Sequence, residues 1–438
     1  MKPVLCWLML CGITVTAVEP TTWRFDLGSG KATPGWQKVG PQTGFTAARG
    51  YGFEPGAEVS AVDRGGSDPL GGDFCTAATP FSFSVAVPEG NYLVKVTLGD
   101  LTRATLTTIK SESRQVQALH VATEPGRIRQ QTLAINVRTP RLPDQREVAI
   151  NARERRARRW DGKLTLEFAD AYPCVGAIEI VAAPTLPTIY LAGDSTMTDQ
   201  QDEPYCGWGQ LLPLFVGTHA AVANHAESGR AARSFIGERR LDKIRSTMRR
   251  GDWLLIQFGH NDQKEKGPGI GAFTSFTRDV RTILAAAAAA GVTPVLVTPM
   301  QRRTFGPDGT IQATHGDYPE ALRRIAAEDH LALIDLQATS KILYEAMGEG
   351  PSKAAFVHFP ANTFPGQMQA LKDNTHFTSY GAYEIARCVV AGIAASDLPL
   401  RQLLVADLLP FSPTRPDPLA AVAIPPSPVA VPEKPEGN

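Results

Sequence analysis

The 438-residue chain has no excess of either charge, because Lys plus Arg and Asp plus Glu each number 44. A nucleic-acid-binding protein would carry a basic excess, so we expect no nucleic-acid partner. Long apolar runs are also missing, since the stretch at residues 4–15 is shorter than the ~20 residues that a membrane-spanning helix needs. We therefore expect no membrane partner. The content of 43% hydrophobic and 20% charged residues is that of a globular protein, and the length predicts two domains plus tails.

Several catalytic and metal-binding motifs are absent. No Gly-x-Ser-x-Gly elbow surrounds Ser195 or Ser228, which excludes nucleophile activation by the α/β-hydrolase route. The eight histidines show no spacing typical of a zinc site, and no acidic calcium-binding loop is present. We therefore expect no metal and no cofactor.

Cysteine is scarce, with six in the whole chain. Two of them lie within residues 1–17, where Lys2, an apolar stretch and small residues before position 18 are typical of a secretion signal. This pattern predicts a secreted or periplasmic protein. The other four, Cys75, Cys174, Cys206 and Cys388, permit three disulfide pairings, and the sequence does not choose among these pairings and buried free thiols.

The regions 20–183 and 184–400 differ in pattern. The first has short alternating strands, such as residues 81–87 and 92–98 around a turn, and predicts an antiparallel β-sandwich or jelly roll. The second alternates buried strands with helices, including a helix at about 231–250, and predicts a parallel sheet covered by helices on both faces. Residues 410–438 are rich in proline and alanine, so we expect a disordered extended tail there.

Four short blocks of the second region supply the groups that ester cleavage requires. A hydroxyl nucleophile needs a base, and the base needs a partner that fixes its tautomer. Ser195 follows the buried strand at 188–192, at the end where open α/β sheets place their sites. Asp373 and His376 are three residues apart, so a turn or the first turn of a helix would let the carboxylate face the imidazole. Gly229 and Asn261 would join the Ser195 backbone N–H as donors to an oxyanion.

These blocks read GDSTM, ESGRAARS, FGHND and KDNTHF in chain order, and over residues 186–393 they resemble the SGNH or GDSL-type hydrolases. Within that superfamily they are most similar to the rhamnogalacturonan acetylesterases, which remove acetyl groups from pectin. The resemblance implies a three-layer α/β/α, flavodoxin-like fold. It also implies that Ser195 is the nucleophile, His376 the base and Asp373 its orienting acid, with Ser195, Gly229 and Asn261 forming the oxyanion hole. The segments WRFDLGSG and GYGF resemble the galactose-binding-like domains that accompany such esterases.

Other polar residues near the four blocks have roles that the sequence leaves more open. Asp194 would cap a helix after the strand. His260 is expected to contact substrate or to support the site, while His315 and His358 lie in Pro- and Gly-rich loops and would contact substrate or simply pack. Arg230 would meet a galacturonate carboxylate or face solvent.

Two features of the first region are equally open. The basic run RERRARR at residues 153–159 is either a solvated loop or a site that attracts an anionic polymer. The aromatic residues of the first region form either the sandwich core or a platform on which sugars stack.

Together these observations predict a secreted, cofactor-free serine esterase that deacetylates a plant cell-wall polysaccharide, most specifically rhamnogalacturonan. The alternatives are an esterase of the same mechanism acting on acetyl-xylan or peptidoglycan, and a polysaccharide-binding protein without activity. No obligate protein partner is implied. The sequence leaves the oligomeric state and the sugar position undetermined.

Overall fold

The computed structural model describes residues 21–429 and 431–436. The predicted secretion signal at residues 1–17 lies outside these described residues. Two folding units follow one another, a β-sandwich and an α/β unit, and each has its own apolar core.

In the part of the chain that the structure describes, the sandwich has twelve strands in two sheets. In chain order they are β1 Thr22–Leu27, β2 Gln37–Val39, β3 Tyr51–Phe53, β4 Ser60–Asp63, β5 Asp73–Thr76, β6 Phe81–Ala86, β7 Gly90–Leu98, β8 Thr105–Ser111, β9 Gln115–Thr123, β10 Arg129–Val137, β11 Lys163–Tyr172 and β12 Val175–Ala182. One sheet has the order β10-β7-β12-β1-β2, with β5 on β12 and β4 on β5, and the other has the order β3-β6-β11-β8-β9. All pairs are antiparallel except β1 with β2, so the predicted antiparallel sandwich is confirmed.

Helix α1, Ala152–Arg156, lies in the connection before β11. The aromatic residues of this unit contribute mainly to packing. Phe53 and Trp160 are buried, and Trp23 and Tyr51 pack against the sandwich core.

Within the described residues, the α/β unit contains seven strands and seven α-helices. The strands are β13 Thr188–Gly193, β14 Ala221–Asn224, β15 Trp253–Gln257, β16 Thr293–Val297, β17 Ala332–Ile334, β18 Phe356–Phe359 and β19 Leu371–Phe377. The helices are α2 Leu212–Val216, α3 Ala232–Gly237, α4 Arg240–Thr247, α5 Thr277–Ala290, α6 Tyr318–Glu328, α7 Leu336–Met347 and α8 Ser379–Ala395. Strands β13 to β17 form a parallel sheet in the order β14-β13-β15-β16-β17, which is the flavodoxin-like order.

Both faces of this parallel sheet are apolar, because each strand is covered by helices on both sides. Along β13, Ile189 and Leu191 join the core cluster that includes α8, whereas Tyr190 and Ala192 join the cluster that includes α5. The predicted three-layer α/β/α arrangement is therefore confirmed. The strand order reverses at β13, whose neighbours are β14 and β15, and a crevice at such a reversal is where open sheets place ligands.

The predicted helix at 231–250 is instead two helices, α3 and α4. Arg239 separates them with a left-handed backbone, φ 64°. The break places Arg240 so that its guanidinium donates two hydrogen bonds to the carboxylate of Glu154 in the sandwich unit, at 2.8 and 2.7 Å. The break between α3 and α4 is therefore accompanied by an ion pair of Arg240 with a residue far away in the sequence.

The prediction of a disordered tail from residue 410 is wrong for the described residues, because this segment packs against both units. Arg387 of α8 donates to the carbonyl oxygens of Leu409 and Pro410 at 3.1 and 2.8 Å. Farther on, Lys110 of β8 donates to the carbonyl oxygen of Pro425 at 2.6 Å. Composition did not reveal these contacts, because side chains of other elements hold this proline-rich segment.

The structure shows buried free thiols and none of the three possible disulfide pairings for the four described cysteines, which are Cys75, Cys174, Cys206 and Cys388. Burial raises the pKa of each thiol. None of the described helices has the length and apolar character needed to cross a bilayer.

Candidate active site

Ser195 lies on a tight turn at the carboxyl end of β13. The Asp194 carboxylate accepts hydrogen bonds from the Thr196 N–H at 3.0 Å and the Thr196 hydroxyl at 2.8 Å. The Asp194 carbonyl oxygen accepts from the N–H groups of Met197 and Thr198. Asp194 therefore stabilises a turn, and no helix follows directly, contrary to the sequence-based expectation. Burial raises the pKa of this carboxyl group.

The structure brings Ser195, His376 and Asp373 into one hydrogen-bonded chain. His376 Nε2 lies 2.9 Å from Ser195 Oγ, and His376 Nδ1 lies 2.8 Å from Asp373 Oδ2. The three residues are 4%, 2% and 5% exposed, so the contact is shielded from solvent. This is the arrangement that a nucleophile, a base and an orienting acid require.

Both Asp373 and His376 belong to strand β19, not to a turn before a helix or to a helix. The strand is strongly bulged, because Lys372 pairs with His358 and Phe377 pairs with Phe356. Four residues, 373–376, therefore lie opposite one residue of β18. The Asp373 carboxylate also accepts from the backbone N–H groups of Thr375 and His376 at 2.8 and 3.0 Å, which fixes the bulge.

The surroundings of Asp373 keep this carboxyl group ionised. Burial alone would raise the pKa of Asp373, but the hydrogen bond and charge of His376 together with the two backbone donors hold that pKa well below its usual value. An ionised Asp373 only accepts hydrogen bonds. In the neutral imidazole, Nδ1 must then carry the hydrogen, and Nε2 is left to accept the Ser195 proton.

Gly229 and Asn261 lie beside each other. The Asn261 amide nitrogen donates to the Arg230 carbonyl oxygen at 3.1 Å, and its amide oxygen accepts from Lys264 Nζ at 3.3 Å. This orientation leaves the second amide hydrogen of Asn261 for another acceptor. Gly229 has φ 78°, a left-handed conformation that favours glycine. The backbone N–H groups of Ser195 and Gly229 donate no hydrogen bond within the described part of the chain, as donors reserved for an oxyanion would.

Two residues that sequence reasoning missed tie these blocks together. Gln200 Nε2 donates to the Ser195 carbonyl oxygen at 2.7 Å and to Ser228 Oγ at 3.2 Å, so it links the turn at Ser195 to the loop that carries Gly229. Asp262 accepts from the N–H groups of Ala232 and Gly259, both at 2.8 Å, and its burial raises its pKa to about 7. Asp262 could have been found from the sequence, because it stands in the FGHND block. Gln200 lies outside the four blocks, so no sequence pattern pointed to it.

His260 and His315 are buried and do not line an open cleft, since they are 2% and 0% exposed. His315 Nε2 lies 2.9 Å from His260 Nδ1 and 3.2 Å from Arg302 Nη1. Burial first and the neighbouring Arg302 second lower the pKa of His315 to about 3, and burial with His315 lowers the pKa of His260. Neither ring reaches open solvent in this conformation, so direct contact with a substrate stays a prediction for both residues.

Arg302 is partly buried, and it has no carboxylate within ion-pairing distance among the described residues. Its Nη2 donates to the His260 carbonyl oxygen at 3.2 Å and its Nη1 to Thr314 Oγ1 at 3.1 Å. Burial lowers its pKa, and Asp194 and Asp373 oppose that shift. Arg302 therefore adds positive charge next to the triad.

The other two candidate contact residues, His358 and Arg230, differ in their surroundings. His358 is half-buried, with Nε2 2.8 Å from the side-chain oxygen of Asn374, and it lines a cavity of about 500 Å³. Arg230 is 9% exposed, and its Nε donates to Glu238 at 2.9 Å while Nη1 donates to the Ser228 carbonyl oxygen at 2.8 Å. Arg230 therefore does not face open solvent.

The basic run at 153–159 matches neither of its two interpretations as a whole. Arg155 and Arg156 are exposed, but Arg153 and Arg159 are buried between the two units. Arg159 donates to Thr198 Oγ1 at 2.7 Å and forms an ion pair with Glu227. These contacts brace the loops that carry Ser195 and Gly229 from behind.

Comparison with known proteins agrees with this geometry. A model of the GDSL-like lipase/acylhydrolase family matches residues 191–382, and a model of the galactose-binding domain-like module of β-agarase/YXIM esterase-like proteins matches residues 23–119. Rhamnogalacturonan acetylesterase RhgT of Bacillus subtilis is 42% identical over 219 residues, which are 50% of this chain and 94% of that protein. The chain belongs to the GDSL-like hydrolase family. It is an ester hydrolase with a galactose-binding-like domain before the catalytic unit.

Another relative matches over both units. The uncharacterised esterase YxiM of Bacillus subtilis is 29% identical over 401 residues, which are 87% of this chain and 94% of that protein. The crystal structure of YxiM from Bacillus subtilis has 26% sequence identity and a TM-score of 0.44, covering 85% of this chain and 98% of that one.

Proposed function

We propose that this hydrolase is a serine esterase that removes O-acetyl groups from rhamnogalacturonan outside the cytoplasm. The observation that carries the proposal is the chain of hydrogen bonds from Ser195 through His376 to Asp373, at 2.9 and 2.8 Å. The name of the relative that is 42% identical supports the substrate.

Acylation begins when Ser195 Oγ attacks the acetyl carbonyl carbon and His376 Nε2 takes the hydroxyl proton. The carbonyl oxygen becomes an oxyanion, which the Ser195 and Gly229 N–H groups and the Asn261 amide would bind. When the intermediate collapses, the bond to the sugar oxygen breaks. His376 returns its proton to that oxygen, which leaves a free sugar hydroxyl and an acetyl-enzyme.

Deacylation repeats these steps with water. His376 removes a proton from water, the hydroxide attacks the acetyl carbon, and the Ser195 Oγ–carbon bond breaks with return of the proton to Ser195. Acetate is released. Asp373 stays ionised throughout and stabilises the imidazolium that forms twice in the cycle.

Positive charge around the triad supports an acidic polysaccharide. Arg230, Lys264 and Arg302 lie close to the candidate oxyanion donors or to the triad. A neutral polymer such as acetyl-xylan has no carboxylates for these groups to bind, whereas the galacturonate units of rhamnogalacturonan do.

The direct test compares acetate release from rhamnogalacturonan, acetyl-xylan and O-acetylated peptidoglycan at equal acetyl concentration. We expect the highest kcat/KM on rhamnogalacturonan. A preference for either of the other polymers would assign the enzyme to the alternative substrate. Absence of acetate release from all three, and from an aryl acetate, would favour a binding protein.

The proposed location needs its own test, since the predicted signal lies outside the described residues. We expect the protein secreted from a bacterial host to begin at Val18. Amino-terminal sequencing of protein recovered outside the cytoplasm checks this, and an intact Met1 on protein that stays in the cytoplasm would contradict it.

A further inference from the structure

The end of the chain is fastened to the sandwich unit at Ser427. This residue is 5% exposed, its hydroxyl donates to Glu167 at 2.6 Å, and its N–H donates to Glu203 at 3.0 Å. Lys110 Nζ donates to the same hydroxyl at 2.8 Å. Residues 431–436 follow this anchor, and we call them the terminal segment.

The terminal segment ends against the Gly229 loop. Glu436 Oε2 accepts a hydrogen bond from Arg230 Nη1 at 2.6 Å. A Cβ atom built on Gly229 would lie 3.0 Å from Glu436 Cβ, so the backbone of the candidate oxyanion glycine is in contact with this side chain. Pro435 is buried, whereas Glu433 forms an ion pair with the exposed Arg156 at 2.8 Å.

We propose that Arg230 forms a subsite for a uronate carboxylate of the polysaccharide, and that Glu436 occupies this subsite and competes with substrate. The inference rests on the proposed function, which supplies an acidic polymer. Arg230 is suited to the task because Glu238 and the Ser228 carbonyl oxygen already orient its guanidinium, while Nη1 points to the position of the Glu436 carboxylate. A carboxylate in that position lies next to Gly229, one of the candidate oxyanion donors.

Competition also follows from the physical properties of the contact. The Glu436 side chain is 54% exposed, so its ion pair is weak and an external carboxylate can displace it. The Ser427 anchor lies nine residues earlier and would keep the segment near the site when Glu436 is displaced, which gives it a high effective concentration.

The test uses deacetylated galacturonate oligomers as inhibitors of the hydrolysis of an uncharged aryl acetate by the full-length protein. In Glu436→Gln we expect the inhibition constant of the oligomers to fall roughly twofold to fivefold, which is the size expected for an exposed ion pair. The matched control is Glu433→Gln, which removes the same charge from the same segment but from a pair with Arg156, and we expect no change there.

A double-mutant cycle assigns the effect to Arg230. The Glu436→Gln effect should vanish in an Arg230→Gln background, in which inhibition by the oligomers is itself weakened. A chain shortened to residue 430 keeps Ser427 and should behave as Glu436→Gln does. A synthetic peptide of residues 431–438 should inhibit this shortened protein competitively.

Equal inhibition constants in Glu436→Gln and the unmodified protein would overturn the proposal. So would equal shifts in Glu436→Gln and Glu433→Gln, since these would show a general charge effect. Because the reporter is an aryl acetate, the result does not depend on activity toward rhamnogalacturonan. Failure of the proposed substrate would instead appear as missing acetate release from that polymer by the unmodified protein.

Discussion

Asp373 and His376 lie on one strand, three positions apart, yet their side chains meet at 2.8 Å. In a regular strand, residues at this spacing point to opposite faces of the sheet. The bulge of β19 removes this restriction, because the Asp373 carboxylate turns back to accept from the Thr375 and His376 N–H groups. One carboxylate therefore folds the segment with one oxygen and orients the base with the other.

Because the two carboxylate oxygens of Asp373 have different partners, we expect Asp373→Asn to affect stability and kcat differently. The amide oxygen can still accept from the backbone, so we expect the unfolding temperature to change little. The amide nitrogen, however, would donate toward Nδ1 and favour the imidazole tautomer that carries its hydrogen on Nε2. That tautomer cannot accept the Ser195 proton, so kcat on an aryl acetate should fall about 10³- to 10⁴-fold. A kcat within tenfold of the unmodified enzyme would contradict the role of Asp373.

Ser195→Ala tests the nucleophile. We expect kcat to fall at least about 10⁴-fold, because the remaining groups bind substrate but offer no attacking oxygen. Ser228→Ala is the matched control, since Ser228 is also buried and shares the donor Gln200. It should keep most of its activity, and a burst of acetyl-enzyme should form with Ser228→Ala but not with Ser195→Ala. Normal turnover by Ser195→Ala would exclude the proposed mechanism.

The buried strands predicted both the parallel sheet and the position of the candidate site at the edge of that sheet. The segments that became β13, β15 and β16 are apolar on both faces, which is typical of a sheet covered on both sides. Ser195 and Asn261 follow β13 and β15 closely, and adjacent parallel strands bring such residues to one edge. Local pattern was sufficient for these conclusions.

Other features depend on partners far away in the sequence, and local pattern could not show them. The Asp373 bulge needs the pairing of β19 with β18. The break at Arg239 accompanies the contact of Arg240 with Glu154, 86 residues earlier. Arg159 looks like one more charge in a basic run, and only its distant partner Glu227 shows why it is buried.

Asn261→Ala tests the third oxyanion donor. We expect kcat to fall about 10²- to 10³-fold with KM little changed, because the lost hydrogen bond forms mainly in the transition state. Lys264→Met removes only the contact that orients the amide oxygen, at 3.3 Å, so its loss should be under about tenfold. Steady-state kinetics on an aryl acetate check both variants. Equal losses in the two variants would indicate a structural role for Asn261.

Arg159→Met tests whether the sandwich unit braces the catalytic loops. The substitution leaves Glu227 buried, 1% exposed, and without its ion-pair partner. We expect the free energy of unfolding to drop by about 3–5 kcal/mol. The exposed Arg155 of the same run is the control, and Arg155→Met should change stability by less than about 0.5 kcal/mol. Urea unfolding measures the free energy of unfolding of both variants. Equally small effects would support the interpretation of residues 153–159 as a solvated loop.

We expect the free energy of unfolding to depend on pH through the titration of Glu384 in α8. This carboxyl group is 0% exposed, and burial first and the charge of Asp417 second raise its pKa to about 8. The folded protein therefore binds the proton more tightly than the unfolded chain does, whose pKa is about 4.3. The stability that this difference provides is fully present below the unfolded pKa and is lost as pH rises through about 8.

Glu384→Gln replaces this group with one that does not titrate. The stability of the variant relative to the unmodified protein should therefore increase between pH 5 and pH 9, on the order of 1–3 kcal/mol. Thermal unfolding of both proteins across this range measures the change. Glu320→Gln on α6 alters an exposed carboxylate and should show no comparable trend, because water solvates that group in both states. A difference between Glu384→Gln and the unmodified protein that stays constant from pH 5 to pH 9 would mean that Glu384 does not take up its proton on folding.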